Sequence, residues 1–253
     1  MTSQLIPVTL AVEGSIAVIQ IDNPPVNALS QAVRQGLVEC ITAANAGSSA
    51  EAIVIACSGK TFVAGADISE FGKPPLEPHL PDVLNAIERS AKPVIAALHG
   101  TVLGGGFELA LACDFLYAAE GARFADTHAR VGLLPGWGLS QKLGRLIGIN
   151  RAREASLTGN FINAETAMTW GLVNKVCSPE TLIEETLAAA QQIAESNPQT
   201  ISAMRSLMND GDLLPLGEAL ELEGARGIAY LEEADFSQMG NRLEALKNRS
   251  KKG

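Results

Sequence analysis

The chain of 253 residues is long enough for one large domain or two small ones, and no apolar run in it reaches membrane-spanning length. Its net charge of −9 argues against general binding to nucleic acid, because phosphate contacts need a basic surface. With 47% hydrophobic but only 4% aromatic residues, the core must be built from Ala, Val, Ile and Leu, which suits helices layered on sheets.

The start, Met1-Thr2-Ser3-Gln4, lacks a basic region followed by an apolar stretch, so no signal peptide is expected. Val8–Val12 and Ala17–Ile21 read as a strand hairpin around Glu13-Gly14-Ser15. Ser30 is expected to cap a helix running to about Ala46, with Ala32, Val33, Leu37, Ile41 and Ala44 on one face. Ala52–Cys57 is a buried strand that ends in small residues around Gly65. Ser69 to Pro81 carries Pro74, Pro75, Pro78 and Pro81, and reads as a surface connection or as a wall over a bound group. A helix near 80–90 and a strand in Lys92–Gly100 follow. Helices are expected near 106–112, 138–147, 151–157 and 164–170, with short strands at Phe115–Ala119 and Arg123–Asp126. From Pro179 onward every strong pattern is helical. The expected organisation is therefore an α/β core over residues 1–178 and a helical region over 179–253, with no internal sequence repeat.

The junction Gly104-Gly105-Gly106-Phe107-Glu108 carries the most chemistry. Three glycines between an apolar strand and an apolar helix let the backbone approach another molecule and aim free N–H groups at it, or simply allow tight packing. The spacing is not G-x-G-x-x-G, and Gly59-Lys60-Thr61 is no P-loop because Val54 stands where its first glycine belongs. Glu108 follows Gly105 by three residues and shares its face of the first helical turn. A second strand ends in Ala64-Gly65-Ala66-Asp67-Ile68. Two such loops supply what a two-donor oxyanion hole needs, with a carboxylate beside it for moving a proton.

Together with Asn23-Pro24-Pro25-Val26-Asn27-Ala28-Leu29, these two motifs resemble the crotonase superfamily, the enoyl-CoA hydratase/isomerase family, from about Ile16 to the C-terminal tail. The resemblance implies a crotonase-type spiral of repeated strand–strand–helix units with a helical C-terminal region that makes trimers, paired as hexamers. It implies that the N–H groups of Ala66 and Gly105 hold the thioester oxygen of an acyl-CoA. It places the CoA along Ala64, Ala66, Asp67 and Ile68. CoA is then part of the substrate and no resident cofactor is required. Glu108 matches one of the family's two glutamates; an ungapped alignment puts His128 in the place of the other, within Phe124-Ala125-Asp126-Thr127-His128-Ala129-Arg130-Val131-Gly132. Imidazole titrates nearest neutral pH, so Glu plus His can still share acid and base roles, or His128 can merely shape the site. Trp137 either shortens the acyl pocket or packs in the core, and Ser69 stands where relatives carry a lysine for a CoA phosphate. A basic tail, Lys247-Asn248-Arg249-Ser250-Lys251-Lys252, is a further source of positive charge.

The expected activity is that of a lyase hydrating trans-2-enoyl-CoA. The alternatives are double-bond isomerisation, another acyl-CoA reaction, or a non-catalytic CoA-binding subunit. A metal site is not expected, since His79, His99 and His128 lack ligand spacing. Cys40, Cys57, Cys113 and Cys177 show no paired spacing; three sit inside apolar runs, and they read as buried free thiols of a reducing, cytoplasmic compartment.

Overall fold

The computed structural model describes residues 6–249. A six-stranded sheet runs in the order β1 (Val8–Glu13), β2 (Ile16–Ile21), β3 (Ala52–Cys57), β4 (Val94–Leu98), β6 (Phe115–Ala119), β9 (Lys175–Cys177). Its neighbours are parallel except for the β1–β2 hairpin. A three-stranded sheet joins β5 (Thr101–Leu103) to β7 (Arg123–Ala125) in parallel and β7 to β8 (Ile162–Asn163) antiparallel. The chain thus passes from the large sheet to the small one and then into a helix: β4 and β5 lead to α3 (Gly105–Ala112), β6 and β7 to α4 (His128–Val131). After β3, Val63 makes the same step through a bridge to Val102 of β5. This is the strand–strand–helix spiral expected of the family.

Every residue of β3 and β4 is buried, as parallel strands covered on both faces require. Alternate residues serve two layers. Ile53, Ile55, Val94 and Ala96 belong to the main core with Val33, Leu37 and Ile41 of α1 (Gln31–Ala46) and Val83 and Ile87 of α2 (Leu80–Glu88). Ala52, Val54 and Ile95 face the other way and pack with Ala190 of α8 (Leu182–Ala194). The period-2 side-chain alternation of a strand turns one apolar run into two buried layers.

Between these lie α5 (Leu139–Ile147), α6 (Ile149–Thr158) and α7 (Ala164–Trp170). The later helices are α9 (Pro198–Gly211), α10 (Leu216–Glu233) and α11 (Met239–Arg249). The chain divides between Ser202 and Ala203 into two compact units. That division comes later than the expected one at 178/179, because α8 still belongs to the sheet: its Leu182, Thr186 and Ala190 are buried and its Glu185 pairs with Lys175 of β9. In the second unit no residue of α10 is buried, and Leu216, Leu220, Ile228 and Leu231 are exposed. Ser250, Lys251 and Lys252 of the basic tail lie outside the described residues.

Other expectations shift in detail. Ser30 stands at the N-cap of α1 but makes no side-chain cap; the carboxylate of Glu70 takes the N–H of Gln31 instead, at 2.7 Å. Short β5, β8, β9 and α4 escape a reading by pattern, since two to four residues carry no period. All four cysteines are free, with Cys57 and Cys177 buried and Cys40 and Cys113 half-buried. Among the described residues no helix is long and apolar enough to cross a membrane.

Candidate active site

The loop carrying Ala66 is braced from the segment between β2 and α1. Asn27 is buried in a left-handed conformation (φ 52°) that asparagine tolerates better than most residues. Its Nδ2 donates to the carbonyls of Ser58 and Thr61, each at 2.8 Å, while its Oδ1 accepts from the N–H of Asn23. The N–H of Leu29 donates to Gly65 O at 2.9 Å. The Asn23–Leu29 motif therefore acts as a strut that fixes where the Ala66 N–H sits.

The glycine turn is built against that loop. Gly104 adopts φ 47° and ψ −116°, which a side chain would resist, and its N–H donates to Ala125 O of β7. A Cβ on Gly106 would lie 2.3 Å from Val63 O, so only glycine lets α3 begin this close to the neighbouring strand segment. A Cβ on Gly105 would lie 3.4 Å from the Ala66 nitrogen, and one on Gly104 would lie 3.8 Å from Cε1 of His128. Two consecutive residues thus border the Ala66 N–H on one side and the histidine ring on the other. Among the described residues neither the Ala66 nor the Gly105 N–H has a protein acceptor.

Glu108, in the first turn of α3, is 1% exposed. Its Oε1 accepts from the N–H of Trp137 at 2.9 Å and of Leu139 at 3.4 Å, whereas Oε2 is buried without a partner. Burial pushes its carboxyl above the usual range; the Trp137 N–H, the charge of His128 and the Leu139 N–H pull it back, and Asp126 pushes it further up. Trp137 is partly buried and packs against the main core, and it meets the glutamate through its backbone N–H.

His128, at the start of α4, is bound through Nδ1 to Oδ1 of Asp126 at 2.7 Å, and its N–H donates to the same oxygen at 3.1 Å. Asp126 is 1% exposed, and Ser156 of α6 lies near enough to help lower its pKa. The Asp126 bond holds the His128 pKa above the ordinary histidine value against desolvation, with help from Asp126 and Glu108 as charges. For Asp126, burial raises the pKa, but the bonds from His128 and the nearby Ser156 hydroxyl outweigh it and leave the carboxyl below its usual range.

The structure brings together Ala66, Gly105, Glu108 and His128, all expected at the site. Of the other expected residues, Ala64 donates its N–H to Val26 O, Asp67 caps the turn Ile68–Glu70 by accepting from Ser69 N, and Ile68 is 81% exposed. Reasoning from sequence missed Asp126 and the backbone donors of Trp137 and Leu139. An aspartate two residues before a histidine is the local signal for the first, because Asp side chains bond the backbone two residues on. No local signal exists for the second, since any residue has an N–H.

The Ala66 loop, the Gly104–Gly106 turn and the buried Glu108 are brought together on a strand–strand–helix spiral of the crotonase type. The family profile described as enoyl-CoA hydratase/isomerase matches residues 11–248, and the chain belongs to that family. It is 38% identical over 244 residues to the probable peroxisomal enoyl-CoA hydratase 1 of Arabidopsis thaliana, covering 94% of this chain and 92% of that one. It is 35% identical over 254 residues to the crotonyl-CoA hydratase of Syntrophomonas wolfei, covering 95% and 96%. The crystal structure of an enoyl-CoA hydratase from Bacillus anthracis matches with a TM-score of 0.86 at 30% identity, over 97% of this chain and 96% of that one.

Proposed function

We propose that this chain is an enoyl-CoA hydratase, a lyase that adds water across the double bond of a trans-2-enoyl-CoA. The observation that carries the reading is the meeting of two unmet backbone donors, Ala66 and Gly105, with the buried, half-satisfied carboxylate of Glu108. The thioester oxygen accepts both N–H groups. Negative charge grows on that oxygen as water attacks the β-carbon, so the donors stabilise the enolate more than the neutral thioester. Each such donor is typically worth about 3 kcal/mol of barrier.

Glu108 supplies the base. Trp137 and Leu139 hold Oε1, which leaves Oε2 to take a proton from the attacking water. Burial raises its basicity toward neutral pH, where a general base is most effective. His128 supplies the proton for the α-carbon. CoA lies along Ala64, Ala66, Asp67 and Ile68 and belongs to the substrate, so the reaction requires no resident cofactor. Four free cysteines suit a reducing compartment, and we assign the protein to the cytoplasm. The exposed leucines of α10 support a homotrimer, paired as a hexamer, in which helical regions cover one another.

The test is hydration of crotonyl-CoA by the parent and by Glu108→Gln. The substitution is expected to reduce turnover at least about a hundredfold, the lower size of an acid–base contribution, with CoA-ester binding nearly unchanged. Turnover within a few-fold of the parent removes Glu108 from the mechanism. A parent that shifts the double bond of a 3-enoyl-CoA and hydrates nothing is an isomerase.

A further inference from the structure

The pairing of Asp126 with His128 is a feature that hydration by two glutamates does not call for. We propose that Asp126 is a positioning residue for proton delivery: it holds His128 as an Nδ1–H donor, so that Nε2 carries the proton given to the α-carbon of the bound thioester. This rests on the hydratase reading above.

One carboxylate oxygen grips both the backbone N–H and the ring Nδ1 of the same residue, at 3.1 and 2.7 Å, which fixes the ring's rotation as well as its hydrogen-bonding nitrogen. A carboxylate buried to 1% exposure needs compensation by a cation or by donors, and the imidazolium is the cation within reach. Nε2 has no protein partner among the described residues, and the ring edge borders Gly104, next to the Gly105 donor. The charges facing the ring are Asp126 and, from α3, Glu108. Arg130 on α4 turns away to Asn160, and Arg153 and Glu154 of α6 are exposed.

The step balances. Oε2 of Glu108 takes one proton from water as the water oxygen bonds to the β-carbon and the π pair moves into the thioester enolate. The α-carbon then takes the proton from Nε2 of His128, and the carbonyl re-forms. Glu108 returns its proton to His128 through a water, and Asp126 stays charged throughout.

Asp126→Asn keeps the shape and the acceptor oxygen and removes the charge. Hydration of crotonyl-CoA is expected to lose about ten- to a hundredfold in kcat with KM within about twofold, because the role is proton delivery and not binding. The rate requires protonated His128, so the alkaline limb of the kcat profile should move to lower pH, and Asp126→Glu should restore part of the loss. A second readout is independent of activity. The chain has three histidines, so the ring 13C signals can be assigned with His128→Gln. In the parent, His128 should titrate above the ordinary histidine value and be protonated at Nδ1 when neutral; in Asp126→Asn its acidity constant should rise at least about tenfold. A parent His128 with an ordinary titration, or one unmoved by Asp126→Asn, overturns the dyad. A kcat within twofold of the parent overturns its role in delivery. A parent that hydrates no enoyl-CoA, while its His128 still answers to Asp126, fails the hydratase reading and with it the delivery step, and leaves the dyad standing.

Discussion

At the scale of single residues, Glu108 shows how reactivity and stability oppose each other. Its Oε2 is buried without a partner, and its carboxyl is pushed up chiefly by that burial. A carboxyl raised on folding binds more protons in the native state than in the unfolded one. Stability therefore falls as pH rises from the ordinary carboxylate value through the raised one, and the full penalty stands above the raised value. Glu108→Gln removes the charge, and its amide oxygen still accepts from Trp137 and Leu139. The variant is expected to melt above the parent at pH 7, by about 2–4 °C for each kcal/mol regained, with the margin closing near pH 4 and below. Calorimetry of both proteins across this range checks it; a variant that melts no higher at pH 7 means the burial of Glu108 is not destabilising.

At the scale of elements, the proline-rich segment after the Ala66 loop is fastened to α1. Arg34 of α1 is 7% exposed and donates to Pro78 O at 2.6 Å, Leu29 O at 2.7 Å, Glu70 Oε2 at 2.8 Å and Leu76 O at 2.9 Å. Gln31 adds a bond from its side chain to Glu77 O. One planar guanidinium satisfies carbonyls that the irregular loop cannot pair within itself, and lysine has too few donors in too compact a head to do the same. Arg34→Ala and Arg34→Lys should both lower stability, the first by about 1–3 kcal/mol, and both should speed proteolytic cleavage between Phe71 and Leu76. Limited proteolysis followed by mass spectrometry reads this directly. Cleavage at the parent's rate means that other contacts hold the segment.

At the scale of the whole molecule, the C-terminal unit presents Leu216, Leu220, Ile228 and Leu231 to solvent at 58–76% exposure. Leu216 and Leu220 are four residues apart and Ile228 and Leu231 three, so each pair lies along one side of α10. The proposed trimer or hexamer buries such surface in the way a core does. Light scattering at micromolar concentration should give three or six times the chain mass, and replacing Leu220 and Leu231 by glutamate should shift the mass downward. A stable monomer in the parent refutes the assembly.

The sequence by itself determined the elements that are long and periodic, and the two loops whose small residues have no other use. The β1–β2 hairpin, α1, β3, β4 and the Gly104–Glu108 turn were all legible, because strand alternation, helical spacing and glycine each act over a few neighbouring residues. Ala66, Gly105, Glu108 and His128 were legible as candidate residues through the motifs that contain them, and the fold brings these motifs near one another. Only the tertiary structure decided that α8 belongs to the sheet, that Trp137 offers Glu108 its backbone N–H, and that Glu70 rather than Ser30 receives the start of α1. It also decided that one oxygen of Asp126 is bonded to both the backbone N–H and the ring Nδ1 of His128. Such pairings depend on which buried donor is left facing which acceptor once the layers have packed, and no local pattern in the chain encodes that.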